Sequence, residues 1–194
     1  TGAVIVTGES ARKQNAGQIV KALSNDAGRF VAATAGPNFE SLIAAMGSGA
    51  TARSKEYNKT ILSCDIGGGT SNIAISRNGE TLSTSCVSVG GRLLGVDSEG
   101  KIWRIDEPAA KVMKNLGLTH EIGDLISKAD IERIAVKFAE ILFEVITGSA
   151  TSALGRQLML TADLNFPSRI DEYSFSGGVA ELMYGGVNNF DDIG

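Results

Sequence analysis

The stretch from 60 to 89 constrains the fold more than any other. Three apolar, strand-like runs, "KTILSCDI", "TSNIAISR" and "ETLSTSCVSVGG", are punctuated first by Gly67, Gly68 and Gly69 and then by Asn78-Gly79. An Asn-Gly pair is a strong hairpin signal, because a type I′ turn needs positive φ at both central positions. The three runs therefore predict an antiparallel meander over 60–89, with the triple glycine as its first connection. In a meander the middle strand holds the outer two about 10 Å apart. Cys64 and Cys86 fall on those outer strands, so no disulfide is expected between them.

On either side the periodicity alternates between strand and helix. "GAVIVTG" reads as a short strand and "RFVAATAG", 29–36, as a second. Between them, Ala16, Ile19, Val20 and Leu23 recur at helical spacing within 9–25. "NFESLIAAMGSG" predicts a helix with Asn38 as N-cap and Gly47 or Gly49 as its stop. Downstream, "EGKIWRI" reads as a strand, and 106–117 as a helix with Pro108 near its start and Gly117 at its end. The strongest amphipathic pattern spans 127–148, where Ile131, Ile134, Ala135, Phe138, Ile141, Leu142 and Val145 repeat with a period near 3.6. "QLMLTADL" fits a strand or a continued helix. Residues 171–186 read as strand, glycine pair, helix, and "VNNFDDIG" as a polar, frayed end. The fold class is thus α/β, a mixed sheet with an antiparallel meander over 60–89 flanked by helices, and 92–130 as a candidate inserted subdomain.

Composition removes several function classes. A hydrophobic share of 43% and a charged share of 21% support a buried core. No apolar run reaches the roughly 18 residues of a membrane span. The net charge is −4, and the most basic stretch, "ARSKEYNK", is interrupted by a glutamate, so no nucleic-acid partner is expected. Two cysteines in strand-like runs indicate buried, reduced thiols and a cytoplasmic setting. His120 is the one histidine, and a surface-loop role outweighs metal binding because no second histidine can join it. The chain opens on Thr1 inside an apolar run, which reads as a piece of something longer.

Three successive glycines inside ordered structure cost stability, and a tight turn needs only two. A glycine turn lets successive N–H groups point the same way, forming a concave anion site, and it removes the side chains that would hold a phosphate off. Thr70 adds a hydroxyl. Asp65 ends the preceding strand, where a carboxylate can hold Mg²⁺ through water. Gly177-Gly178, between a strand end and a helix start in "YSFSGGVAEL", allows a nucleotide a similarly close approach. The alternative there is a helix entry that needs glycine for close packing, and taken alone the two readings weigh equally.

"CDIGGGTSNIAI" closely resembles the second phosphate motif of the actin, Hsp70 and sugar-kinase superfamily of ATPases, and "FSGGVAEL" resembles its adenosine motif in the same order. "VSVGG" resembles the glycine pair that closes the meander in Hsp70-like proteins. The resemblance implies an actin-like (ribonuclease H-like) ATPase lobe. It implies that ATP and Mg²⁺ are held by Asp65, Gly67, Gly68, Gly69, Thr70, Gly90, Gly91, Gly177 and Gly178. It also implies a catalytic glutamate at the start of the connecting helix, for which Glu40 is preferred over alignment on Gly36. The superfamily's first phosphate motif appears nowhere, so the chain is expected to be the second lobe only, inactive by itself. Four stretches in order, "TGAVIVTGESARKQNA", "VAATAGPNFESLIAAMGSGA", "CDIGGGTSNIAI" and "SFSGGVAELMYG", resemble the ethanolamine ammonia-lyase reactivating factor family. That resemblance implies a chaperone-like ATPase that releases damaged cobalamin from ethanolamine ammonia-lyase, in a cytoplasmic setting, with association to a bacterial microcompartment and oligomeric state left open. The competing class is a nucleotide-responsive, actin-like scaffold; a sugar or carboxylate kinase lacks support.

Overall fold

A computed structural model describes residues 2–6, 30–34, 36–149, 151–166 and 169–185. The expected helix at 9–25 and the expected frayed end at 187–194 lie outside the described residues. Two short strands, β1 (Gly2–Val6) and β2 (Phe30–Thr34), pair in parallel as a separate two-stranded sheet.

The meander forms as the turn chemistry requires. Strands β3 (Ile61–Ile66), β4 (Ser71–Arg77) and β5 (Glu80–Val87) pair antiparallel in succession. Asn78 and Gly79 take φ of 54° and 83°, the left-handed pair that a type I′ turn demands. A fourth strand, β8 (Glu172–Ser176), joins β3 in parallel, so the sheet order is β5-β4-β3-β8. The sheet is therefore mixed, as the α/β reading anticipates.

Strand alternation sorts the two faces. Leu62, Cys64 and Ile66 share one face with their cross-strand partners Ile75, Ile73 and Ser71. This face carries the main core. Helix α4 (Lys128–Thr147) covers it with Ile134, Phe138, Ile141, Leu142, Val145 and Ile146, all buried. Ser127 caps α4 by accepting from the Asp130 amide, and Gly148 ends it at φ 70°. Helices α3 (Glu107–Asn115) and α5 (Ala153–Leu158) add Val112, Met113, Leu154 and Leu158 to the same core. Between β5 and α3 an antiparallel ribbon, β6 (Leu94–Val96) with β7 (Ile102–Ile105), contributes Ile102, and its flanks add Leu93 and Ile126. The stretch 92–126 thus shares the main core. After α5 the chain settles the ambiguity of "QLMLTADL" in both senses: a helix to Leu158, then a bridge from Met159 to Val87 that covers the β5 edge.

The opposite face is lined by small and polar side chains, Ser63, Asn72, Ala74 and Ser76, so helices approach closely there. Helix α1 (Pro37–Gly47) buries Ser41 and Ala45, and α2 (Ala50–Glu56) buries Ala50 and Ser54. The Ser54 hydroxyl accepts from the Gly79 amide at 3.0 Å, tying α2 to the hairpin turn. Asn38 is not the cap of α1. The cap is Gly36, because Pro37 fixes φ and lacks an N–H, which suits the first helical position. Asn38 instead accepts from the Thr84 hydroxyl on β5.

Cys64 lies on the core face, and Cys86, paired with Asn72, lies on the other. Both are buried, lie outside any disulfide and are separated by β4. Burial pushes the Cys64 thiol up to about 12. His120 sits 3.7 Å from Asp130 at the start of α4.

Candidate functional site

The triple glycine forms a tight connection closed by a hydrogen bond from the Gly67 amide to the Thr70 carbonyl, 3.0 Å. Its carbonyls are taken by the loop after β5. Gly91 N–H donates to Gly67 O at 3.0 Å, and Arg92 N–H donates to Gly68 O at 2.7 Å. In a planar trans peptide the C=O and the next N–H point in opposite directions. Tying both carbonyls to the 90–92 loop therefore turns the amides of Gly68 and Gly69 away from it, to a common side. Those two amides, and that of Thr70, have no hydrogen-bond partner among the described residues. Successive unpaired amides of this kind make an anion-binding nest. Gly68 is exposed and the turn sits at one end of the meander.

Three glycines around the turn, Gly90, Gly91 and Gly177, have a steric reason. A Cβ on Gly90 would lie 2.6 Å from the carbonyl carbon and oxygen of Gly68 and from the Gly69 nitrogen, so Gly90 lets the loop lie flush on the turn. A Cβ on Gly91 would meet Val179 at 2.8 Å. At Gly177, where φ is 86°, a Cβ would fall 2.3 Å from Asp65 Oδ1 and 2.4 Å from the Ile66 carbonyl oxygen. Gly178 is different: nothing lies within 4 Å of its added Cβ. The packing reading of the second glycine pair thus holds for Gly177, and Gly178 faces open space.

Asp65 ends β3 half-buried, and its carboxylate carries no hydrogen bond or ion pair among the described residues. Burial raises its pKa, since desolvation disfavours the charged form. A partly buried carboxylate without a partner is a group that a cation would satisfy. Among the described residues no three His, Cys, Asp or Glu side chains gather to hold a metal, so Asp65 would act through a hydrated ion. The Thr70 hydroxyl is likewise without a partner among the described residues. Glu40 lies in the first turn of α1. Its neighbour Ser41 donates to Asn72 Oδ1 at 3.2 Å, and Asn72 is the cross-strand partner of Asp65. Cross-strand partners share a face, so the start of α1 and Asp65 occupy one end of one face of the sheet.

Two cavities adjoin the nest. The smaller, about 160 Å³, is lined by Gly67, Gly68, Gly91, Arg92, Gly178, Val179 and Leu182. The larger, about 620 Å³, runs between α4 and helix α6 (Gly178–Met183) and shares Gly91 and Val179 with it. Its walls are apolar, including Ile134, Phe138, Leu142 and Phe175. Arg92 is the residue that the sequence reading passed over. Its signal was present, a basic residue directly after Gly90-Gly91, but a lone exposed arginine gives no reason to be chosen until its stem is seen against Gly68. No helix among the described residues is long and apolar enough to cross a membrane.

The family model described as ethanolamine utilisation protein EutA matches residues 1–194. The chain is 39% identical over 181 residues to the ethanolamine ammonia-lyase reactivase EutA of Salmonella typhimurium strain LT2, covering 93% of this chain and 38% of that protein. The Escherichia coli K12 protein of the same name is 38% identical over the same coverage. The chain therefore spans well under half the length of the curated relatives it matches. Among solved structures, the Aquifex aeolicus member of the Ppx/GppA protein family superposes with a TM-score of 0.47 at 14% identity, covering 93% of this chain and 45% of that one. MreB 5 of Spiroplasma citri, bound to AMPPNP, superposes with a TM-score of 0.42 at 14% identity, covering 92% and 56%.

Proposed function

The chain belongs to the EutA family of ethanolamine utilisation proteins, and from that premise we propose that it carries the second-lobe half of a Mg·ATP site in a reactivating factor for adenosylcobalamin-dependent ethanolamine ammonia-lyase. The observation that carries the nucleotide reading is the set of amides at Gly68, Gly69 and Thr70 that have no partner among the described residues, beside a carboxylate at Asp65 that likewise has none among them.

The roles follow from chemistry. The amides of Gly68 and Gly69, with the Thr70 hydroxyl, bind the β and γ phosphates. Gly67 and Gly90 shape that turn, one by closing it and the other by admitting the neighbouring loop. Asp65 orients a hydrated Mg²⁺, which neutralises phosphate charge when bound. Gly178 leaves room for the α-phosphate and ribose, and Gly91 with Val179 opens onto the apolar cavity, whose walls suit a purine base. Glu40 orients water from the start of α1. The other half of the phosphate clamp belongs to a first lobe outside this chain. Nucleotide state would then bias the angle between lobes, a hinge-type switch, and the partner enzyme would feel that movement as the release of damaged cobalamin.

The test is recovery of ethanolamine ammonia-lyase activity after inactivation by cyanocobalamin, using the full-length parent with ATP and Mg²⁺. Recovery that requires ATP and is lost with Asp65→Ala supports the reading. Recovery that proceeds equally without ATP, or unchanged in the variant, overturns it.

A further inference from the structure

We infer that Arg92 is the cationic phosphate ligand of this site, a role that deepens the nucleotide reading and rests on it. Three observations place it there. First, Arg92 is the one ionisable side chain among the described residues lining the small cavity, the others being Gly67, Gly68, Gly91, Gly178, Val179 and Leu182. Second, its stem runs beside Gly68 of the turn: a Cβ built on Gly68 would lie 3.5 Å from Arg92 Cβ and 3.6 Å from Cδ. Third, its own amide donates to Gly68 O at 2.7 Å, so the residue is registered to the turn by its backbone, and the start of its side chain is fixed with it.

Charge explains why such a residue is needed. Backbone amides carry only partial charges, and the other titratable group at the nest among the described residues, Asp65, is an acid. A polyphosphate entering beside an acid meets repulsion that a hydrated Mg²⁺ offsets only in part. A guanidinium supplies a full positive charge with a planar fork that matches two phosphate oxygens. Gly68 is exposed, and the Arg92 stem lies at ordinary van der Waals distance from a Cβ built there. The chemical class of ligand is an organic polyphosphate, and the part recognised by Arg92 is the phosphate chain, not the base.

The experiment is calorimetric titration of the full-length protein with Mg·ATP and, separately, with adenosine, for wild type, Arg92→Gln and Arg92→Lys. Arg92→Gln keeps the backbone bond to Gly68 and much of the stem. It is expected to weaken Mg·ATP binding at least tenfold and to change adenosine binding less than twofold. Arg92→Lys is expected to regain part of the loss, and the salt dependence of Mg·ATP binding is expected to be shallower in Arg92→Gln than in wild type. Mg·ATP affinity in Arg92→Gln within twofold of wild type overturns the assignment. So does an equal loss for adenosine, which would make Arg92 a support of the turn instead. Failure of the wild type to bind Mg·ATP at all is a separate outcome, and it overturns the nucleotide reading on which the assignment rests.

Discussion

Adjacent glycines at 177 and 178 separate a packing role from the proposed ligand-binding role within two residues. At Gly177 an alanine methyl would sit 2.3 Å from Asp65 Oδ1, 2.4 Å from the Ile66 carbonyl oxygen and 2.7 Å from its carbon. Two of those three atoms are backbone, so no flexible side chain can simply turn away. The backbone is also at φ 86°, ψ 176°, a region open essentially to glycine alone. Strain there costs about 1–3 kcal/mol, and overpacking against fixed atoms about 1–3 kcal/mol more. Gly177→Ala should therefore destabilise the fold by roughly 2–6 kcal/mol, the sum of those two ranges. Gly178→Ala meets nothing within 4 Å and sits at the first position of α6, where glycine is the poorer helix former. Its stability should stay within about 0.5 kcal/mol of wild type, as for a surface substitution. The same methyl would project into the space assigned to phosphate and ribose, so Mg·ATP binding should weaken by tenfold or more. Urea denaturation reads the first quantity and calorimetry on the full-length protein the second. Equal destabilisation by both alanines would refute the steric argument. Unchanged nucleotide binding in Gly178→Ala would refute the placement of the ligand.

Other outcomes follow from charge and burial. Asp65 has its pKa raised by desolvation, so it contributes stability below its unfolded pKa and loses that contribution as pH rises through the folded value. Asp65→Asn should raise the melting temperature of the ligand-free protein at pH 7 and weaken Mg·ATP more than adenosine; a lower melting temperature would show that the ionised carboxylate has a partner after all. Glu172 behaves oppositely, held down to about 2 by Arg53 and Lys59, which approach at 2.5 and 3.0 Å. Its contribution is present above the unfolded pKa near 4.5 and is lost as pH falls toward 2. A wild-type advantage over Glu172→Gln in thermal melting should accordingly shrink across that window and shrink with added salt. Cys64, buried and pushed up to about 12, should resist alkylation by iodoacetamide at pH 8 until the protein is unfolded; labelling of the native protein at the rate of a free thiol would contradict its burial.

The elements legible in the sequence are those whose chemistry is local. Asn78-Gly79 dictates a turn whatever surrounds it, so the β4–β5 hairpin follows from that pair, while the register shift between Ile75 and Ser76 does not. The period of 127–148 and the Ser127 and Gly148 caps specify α4 to within a residue at each end. Asn38 misled because two capping signals competed, and the fixed φ of Pro37 outweighed a side-chain acceptor. "QLMLTADL" stayed ambiguous because its fate depends on a distant edge: Leu160 donates to the Cys86 carbonyl, a contact no local pattern encodes.

The candidate site divides along the same line. The triple glycine is visible because its cost in entropy demands a reason, and Asp65 and Thr70 are visible because they flank it. What sequence could not distinguish is why each remaining glycine is glycine. Gly90 and Gly177 are needed because another backbone or carboxylate lies where their Cβ would be, whereas Gly178 meets open space. Only a three-dimensional neighbour list separates a glycine that admits protein from one that admits ligand. Arg92 was hidden for the same reason, since its claim rests on lying beside Gly68, twenty-four positions earlier in the chain. The tethering of the Gly67 and Gly68 carbonyls by the 90–92 loop is likewise non-local, and it is what turns a flexible glycine run into a nest with a defined direction. The proposed phosphate motif is therefore not self-sufficient: its geometry is set by the loop that closes the meander, so a substitution at Gly90 should disturb the proposed phosphate binding as surely as one inside the triple glycine.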